Sequence, residues 1–142
     1  MNEKHFLTEY LKECAVFLTE IDVSESVIRA KEMILSTKER GGKIIFAGNG
    51  ASASIANHAS LDFTKQGNVR SLNFNESAFI TAFSNDYGYE NWIKKALGLY
   101  ATAGDTLILV SCSGTSPNVV NAAKYANLNG INVITFTGFQ ED

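Results

Sequence analysis

Apolar and polar positions alternate at helical spacing over the first forty residues of the chain. Between residues 5 and 21 the apolar side chains fall on one face of a helix, and the charged side chains fall on the other. A second helix is predicted up to Gly41 and Gly42, because Asp22 stands three residues before Glu25 in a spacing typical of a helix start. The pattern therefore predicts a helical hairpin over residues 1–40.

The apolar faces of this hairpin are wide for so small a domain. In the first helix they comprise Phe6, Leu7, Tyr10, Leu11, Cys14, Phe17, Leu18 and Ile21. Such faces can cover one side of a sheet in the same chain, or they can face a second subunit. The second interpretation predicts a homo-oligomer, either a dimer or a tetramer, in which residues 1–40 serve association.

Short apolar segments alternate with amphipathic segments from residue 41 to residue 142. Strands are predicted at residues 43–47, 71–74, 106–110 and 131–136, and helices at 52–65, 76–83, 89–100 and 116–128. This order indicates an α/β domain with a doubly wound parallel sheet. Residues 106–110 lack polar alternation, which is typical of a strand buried on both faces. Ligands are expected at the carboxyl ends of the strands.

Hydroxyl side chains crowd the turn that follows the third predicted strand. This turn, Ser-Cys-Ser-Gly-Thr-Ser at residues 111–116, is named the serine loop, and Pro117 after it marks a helix start. Its hydroxyls, the flexible backbone at Gly114 and the helix N-terminus would suit a phosphate monoester. A serine-rich turn without a ligand explains the same residues equally well. Residues 106–121 contain no Lys or Arg, so neutral donors would have to hold the phosphate.

A second ligand-binding segment is predicted after the first strand. Residues 48–54, Gly-Asn-Gly-Ala-Ser-Ala-Ser, are named the glycine loop, and Ser52 in it can cap the next helix or bind a ligand. The third glycine of a dinucleotide fingerprint and a phosphate-binding lysine motif are both missing, so no nucleotide cofactor is expected. Asp86 falls in a polar loop predicted at residues 84–90, where it can contact sugar hydroxyls or cap the following helix.

His58 and Asp62 are spaced four residues apart on the predicted helix 52–65, and therefore share one face. An imidazole and a carboxylate so placed can bind a metal together or act as an acid/base pair. A surface ion pair is the simpler interpretation of the same spacing. The two residues alone do not decide between these roles.

Composition and charge argue against a protein that binds nucleic acid, spans a membrane or is secreted. The chain has 142 residues, of which 45% are hydrophobic and 19% charged, with a net charge of -3. The 12 basic residues are scattered, which argues against a nucleic-acid surface. Cys14 and Cys112 have no metal or redox spacing, and no apolar stretch approaches a membrane span or a signal peptide. We expect a cytoplasmic protein with reduced thiols.

Five motifs in order resemble the SIS (sugar isomerase) domain family. They are Gly-Asn-Gly-Ala-Ser at 48–52, His58 with Asp62, Ser-Asn-Asp-Tyr-Gly at 84–88, Ser-Cys-Ser-Gly-Thr-Ser-Pro-Asn at 111–118 and Val-Ile-Thr-Phe-Thr-Gly at 133–138. The likeness spans nearly the whole chain. Within the family it is greatest to the isomerases that convert sedoheptulose 7-phosphate into D-glycero-D-manno-heptose 7-phosphate for surface polysaccharides.

The resemblance implies a flavodoxin-like sheet and a tetramer with its sites at subunit interfaces. It implies a phosphorylated sugar as ligand, with His58 and the residue at position 62 as catalytic residues and zinc ligands. The substrate-binding residues that it implies are Asn49, Gly50, Ser52, Asp86, Ser111, Cys112, Ser113 and Ser116.

The chain departs from the family pattern at two places. Asp62 stands where the family has glutamate, which shortens the reach of the carboxylate by about 1.5 Å, and ~1 Å of misplacement can cost on the order of a hundredfold in rate. The family also continues beyond Thr137 and Gly138 with a strand and a helix that carry a glutamine and a histidine of the site. We therefore expect weak zinc binding and low isomerase activity. The chain would be either a fragment or part of an oligomer that covers the place of the missing strand and helix.

Two functions from different classes remain open on these residues. One is a phosphosugar isomerase of the family. The other is a noncatalytic phosphosugar-binding or adaptor protein, such as the SIS relatives that associate with the bacterial replication initiator. Asp62 favours the second function, whereas His58 and the serine loop agree with both.

Overall fold

The structure is a computed structural model that describes residues 2–138. The chain forms two compact units, Met1–Lys31 and Glu32–Asp142. In the described part of the chain, no helix combines the length and the apolar composition that a membrane span requires.

Two helices form the N-terminal part, as predicted. Helix α1 spans Glu3–Thr19 and α2 spans Ser24–Glu39. The side chain of Asn2 caps α1 by accepting a hydrogen bond from the Lys4 amide at 3.1 Å, and Asp22 accepts one from the Ser24 amide at 2.9 Å. Asp22 therefore marks the start of α2, in agreement with the sequence.

A four-stranded parallel sheet forms the centre of the second unit. Its strands are β1 (Ile44–Gly48), β2 (Ser71–Asn73), β3 (Thr106–Ser111) and β4 (Asn132–Thr137), in the spatial order β2-β1-β3-β4. The helices between and after them are α3 (Ala51–Lys65), α4 (Ser77–Tyr87), α5 (Trp92–Tyr100) and α6 (Pro117–Leu128). The chain leaves β1 toward β2 and then returns past it to β3, so the order reverses between β1 and β3. The predicted flavodoxin-like, doubly wound sheet is confirmed.

Both faces of the sheet are covered. Ile45, Leu107 and Leu109 contribute to one apolar cluster, together with Trp92 of α5, whereas Ile44 and its neighbours on the opposite face belong to another. Successive residues of a strand point to opposite faces, so a strand in the middle of such a sheet has to be apolar throughout. This is the reason for the uninterrupted apolar run at residues 107–109.

Helix α4 is longer than the sequence pattern predicts. The pattern predicts a helix at 76–83 and a polar loop at 84–90, but α4 continues to Tyr87. The rings of Phe79, Phe83 and Tyr87 pack in series at helical spacing, with centroid distances of 4.2 and 5.6 Å, and this contact extends the helix through the polar residues. Gly88 ends α4 with a φ of 82°. A 3-10 turn at Tyr89–Asn91 then leads into α5.

Candidate functional site

The glycine loop and the serine loop lie side by side at the carboxyl edge of the sheet. The register of β1 and β3 pairs Gly48 with Val110, so the two strands end at the same level. Each loop then turns directly into a helix, α3 or α6. The edge thus presents two helix N-termini next to each other, at the point where the strand order reverses.

Gly48 allows the glycine loop to turn this tightly. A Cβ atom at this position would lie 2.8 Å from the Ser52 carbonyl group and 2.8 Å from the Val110 carbonyl oxygen, closer than a side chain can approach. Gly50 then adopts a φ of 54° and occupies the N-cap position of α3. The capping role considered for Ser52 is therefore wrong, because the helix already begins at Ala51.

The serine loop orders itself through its own hydroxyl oxygens. Ser111 Oγ accepts a hydrogen bond from the Gly114 amide at 3.2 Å, and Ser113 Oγ accepts from the amide and the hydroxyl of Thr115 at 3.3 and 3.2 Å. A hydroxyl that accepts in this way still has its own proton to donate. Ser111 and Ser113 can therefore donate to an anion without breaking the loop.

Helix α6 begins directly after the serine loop. Ser116 occupies its N-cap position and Pro117 its first turn, as the sequence predicts. The Ser116 side chain makes no capping hydrogen bond, so its hydroxyl can be used by a ligand. Gly114 has a φ of 69°, and a Cβ atom there would approach Thr137 Cγ2 to 3.1 Å. The loop, the hydroxyls and the partial positive charge of the helix end together suit a phosphate.

A network of side-chain hydrogen bonds ties the two loops together. Asn49 and Asn118 form a reciprocal amide pair, with Nδ2 to Oδ1 distances of 3.0 and 2.8 Å. The Tyr89 hydroxyl also donates to Asn49 Oδ1 at 3.1 Å. Asn118 is only 1% exposed, so the pair is protected from water on one side. Asn49 is thereby fixed against α6 and the 3-10 turn.

Sequence patterns did not reveal three residues of this edge. Asn118 lies in the motif at 111–118 and Tyr89 in the predicted loop at 84–90, but an amide pair across 69 positions leaves no periodic signal. Asn75 donates to the Gly48 carbonyl at 2.9 Å, and its buried Oδ1 has no hydrogen-bond partner within residues 2–138. Asn75 could have been recognised from its position just beyond β2, because polar residues that follow strands collect at this edge.

His58 and Asp62 form the pair that their spacing predicts. His58 Nε2 lies 3.2 Å from Asp62 Oδ2 on α3. The side chains are 75% and 41% exposed, so the pair faces open space in the single chain. His58 stands seven residues after Ala51, which places it about 10 Å along the helix axis from the N-terminus of α3.

No cluster of three or more His, Cys, Asp or Glu side chains with metal-binding geometry occurs among residues 2–138. Zinc in a catalytic site usually has three protein ligands, of which His58 and Asp62 would supply two. The described donor set is therefore incomplete for zinc.

Asp86 and Cys112 are both exposed. Asp86 lies in the last turn of α4 rather than in a loop, and Asn85 donates to its Oδ1 at 3.0 Å. The N-cap of α5 is Asn91, so the capping alternative for Asp86 is wrong. Cys112 is exposed in the serine loop as a free thiol. The structure leaves the side chains of both residues accessible.

The SIS domain model matches residues 9–138. Phosphoheptose isomerase from Nitratidesulfovibrio vulgaris is 34% identical, with 96% of this chain and 70% of that protein aligned. Phosphoheptose isomerase from Cytophaga hutchinsonii is 31% identical, over 86% of this chain and 66% of that one. The structure of the phosphoheptose isomerase from Neisseria gonorrhoeae superimposes with a TM-score of 0.86 at 28% identity, covering 96% of this chain and 75% of the other.

The match includes every element that builds the carboxyl edge, from β1 to β4. The chain spans about two thirds of the length of the curated relatives, 70% and 66% for the two named here. Both the family model and the relatives cover most of this chain, and the solved structure shares its fold. The chain therefore belongs to the SIS domain family.

Proposed function

We propose that this chain is a phosphosugar isomerase that converts sedoheptulose 7-phosphate into the heptose 7-phosphate used in surface polysaccharides. The observation that carries the proposal is the serine loop at the N-terminus of α6, held against the glycine loop by the Asn49–Asn118 pair. Relatives called phosphoheptose isomerase at 31–34% identity support the substrate. Sugar phosphates are made and used in the cytoplasm, which is the proposed location.

The serine loop is proposed to hold the phosphate. Ser111, Ser113 and Ser116 offer hydroxyl protons, and the start of α6 adds partial positive charge. Hydrogen bonds to a charged group contribute about 1.5–3 kcal/mol each, so three or four support micromolar binding after the entropy of association is subtracted. The sugar would then extend from the serine loop along the glycine loop, past Gly50 and Ser52.

The isomerase step moves a proton between C1 and C2 of the sugar. A carboxylate near these carbons is the natural base, and an imidazole can stabilise the oxygen of the enediolate. Asp62 and His58 supply a carboxylate and an imidazole 3.2 Å apart on α3. We assign Asp62 as the base and His58 as its partner, and we assign no step to zinc because two ligands do not complete its usual set.

A noncatalytic phosphosugar-binding protein is the second candidate. The exposure of the His58–Asp62 pair, 75% and 41%, favours it, because a base in open solvent is a poor catalyst. Both candidates use the serine loop in the same way. They differ in turnover, which the isomerase has and the binding protein lacks.

Ser113→Ala tests the serine loop. The substitution removes one hydroxyl donor and the acceptor of Thr115, and should weaken binding of a sugar phosphate by about 1–3 kcal/mol in calorimetry. Ser77→Ala, at the exposed start of α4, is the matched control and should leave the affinity unchanged. Equal affinities of the wild type and Ser113→Ala would remove the loop from the site.

We also propose that the chain self-associates through its N-terminal helices. No residue of α1 is buried in the described chain, and Phe17 and Leu18 are 67% and 84% exposed. An apolar helix face of this size in water is typical of a subunit interface. A homo-oligomer, either a dimer or a tetramer, is the expected state.

Sedimentation at micromolar concentration should detect the oligomer. Phe17→Glu is expected to shift it toward the monomer, whereas Glu13→Gln on the charged side of α1 should not. A wild-type chain that sediments as a monomer would contradict the proposal.

A further inference from the structure

A separate cleft lies at the opposite edge of the sheet, where the strands begin. Its volume is about 500 Å³. Lys43, Arg70 and Asp105 line it and immediately precede β1, β2 and β3, and Arg40 joins them from the end of α2. Strands rise about 3.3 Å per residue, so β1 and β3 separate this cleft from the serine loop by roughly 17–20 Å. One small ligand cannot reach both.

The negative charge of the cleft is neutralised within the protein. Asp105 is 1% exposed and accepts from the Lys43 amide at 2.9 Å and the Thr102 amide at 2.8 Å, and it forms an ion pair with the Lys43 ammonium group. Burial raises the pKa of Asp105, but the hydrogen bonds from Lys43 and Thr102 together outweigh it and hold the pKa below its ordinary value. Asp105 is therefore ionised and paired with Lys43, and a ligand in the cleft does not have to break this pair.

The accessible charges are positive. The cleft holds three cations and one carboxylate, so two positive charges remain after Lys43 is paired, in a chain whose net charge is -3. Both remaining cations, Arg40 and Arg70, are exposed. Cations concentrated in a concave site attract small anions.

Hydrogen bonds to the protein hold the two guanidinium groups at the cleft. Arg70 Nη1 donates to the Gly41 carbonyl at 2.8 Å, and Arg40 donates to Ser36 Oγ and, at 3.5 Å, to the Gly104 carbonyl. A guanidinium has five N–H donors in a fixed plane, so each arginine still has several for a ligand. Gly41 has a φ of 72°, and a Cβ atom built on it would meet nothing within 4 Å. The surface of the cleft at Gly41 is therefore backbone without a side chain, and it borders open space.

We propose that this cleft is a second ligand site and that it binds a small organic phosphate. A guanidinium group matches the oxygens of a phosphate bidentately, which an ammonium group does not. The volume lies in the range of small-molecule sites. Two accessible cations are too few for the clustered contacts that a nucleic-acid backbone needs. The site does not depend on the serine loop and is distinct from the proposed substrate site.

The test is a titration of the ¹⁵N-glycine-labelled full chain with inorganic pyrophosphate, followed by NMR at constant ionic strength. The Gly41, Gly42 and Gly104 amides report on the cleft, and the Gly114 amide reports on the serine loop. The cleft signals should shift and saturate below about 10 mM, the weak end of specific binding. In Arg40→Gln/Arg70→Gln the cleft affinity should fall at least tenfold while the Gly114 response stays.

Lys65→Gln/Lys94→Gln removes two exposed cations elsewhere and is the matched control, which should leave the cleft affinity unchanged. The proposal is overturned if the cleft glycines do not shift, if sodium chloride alone causes the same shifts, or if both double variants lose affinity equally. An unchanged Gly114 signal shows that the arginine variant is folded. A missing Gly114 response in the wild type would instead count against the serine loop, so the two proposals fail separately.

Discussion

Asp62→Asn should lower the isomerase rate by on the order of 10²- to 10⁴-fold, which is the range for loss of a general base. The amide keeps the shape of the side chain and its place beside His58, 3.2 Å away in the wild type, but cannot take a proton from the sugar. Affinity for the sugar phosphate should change little, because the serine loop is intact. The measurement is kcat and KM with sedoheptulose 7-phosphate.

Asp62→Glu should change the rate in the opposite direction. The extra methylene restores about 1.5 Å of reach, and a misplacement of ~1 Å can cost on the order of a hundredfold. Glu32→Gln, which neutralises an exposed carboxylate on α2, is the control and should leave the rate unchanged. An Asp62→Asn variant with the full wild-type rate would exclude Asp62 as the base.

Asn118→Ala should destabilise the fold and weaken ligand binding together. It removes both hydrogen bonds of the amide pair and leaves Asn49 Nδ2 without its acceptor, in a site where Asn118 is 1% exposed. An unpaired buried donor costs about 1–3 kcal/mol and the lost side-chain volume adds to this, so we expect about 2–4 kcal/mol in urea unfolding. Affinity for the sugar phosphate should fall at least tenfold, because the two loops lose their link.

Asn121→Ala provides the matched control on the same helix. Asn121 is less buried and donates one hydrogen bond, to the Glu90 carbonyl at 2.9 Å. Its loss should cost about 1 kcal/mol or less and leave ligand affinity unchanged. Equal effects of the two substitutions would show that the Asn49–Asn118 pair has no special role in joining the loops.

The central strands could be predicted because their signal is local. Residues 107–109 are apolar in succession and lie in the middle of a sheet that is covered on both faces. The end of α4 could not be predicted in this way. Ser84, Asn85 and Asp86 resemble a loop in composition, and the ring contacts that keep them helical involve packing as well as spacing.

The sequence predicts which residues form the candidate site, but it does not predict most of the contacts between them. Spacing alone gave the contact between His58 and Asp62, because four residues make one helical turn. The pairing of Asn49 with Asn118 depends on the register of β1 against β3, which no local pattern encodes. Roles of these side chains in binding and catalysis remain predictions that the variants above address.

Proton exchange at C1 of sedoheptulose 7-phosphate in D₂O distinguishes an isomerase from a noncatalytic binding protein. An isomerase that removes this proton with Asp62 exchanges it with solvent and forms the aldose, and NMR of the sugar follows both events. We expect exchange and aldose formation with the wild type at a rate below ~1 per second, reduced by Asp62→Asn. Tight binding of the sugar phosphate with neither exchange nor aldose formation would exclude the isomerase and establish the noncatalytic function instead.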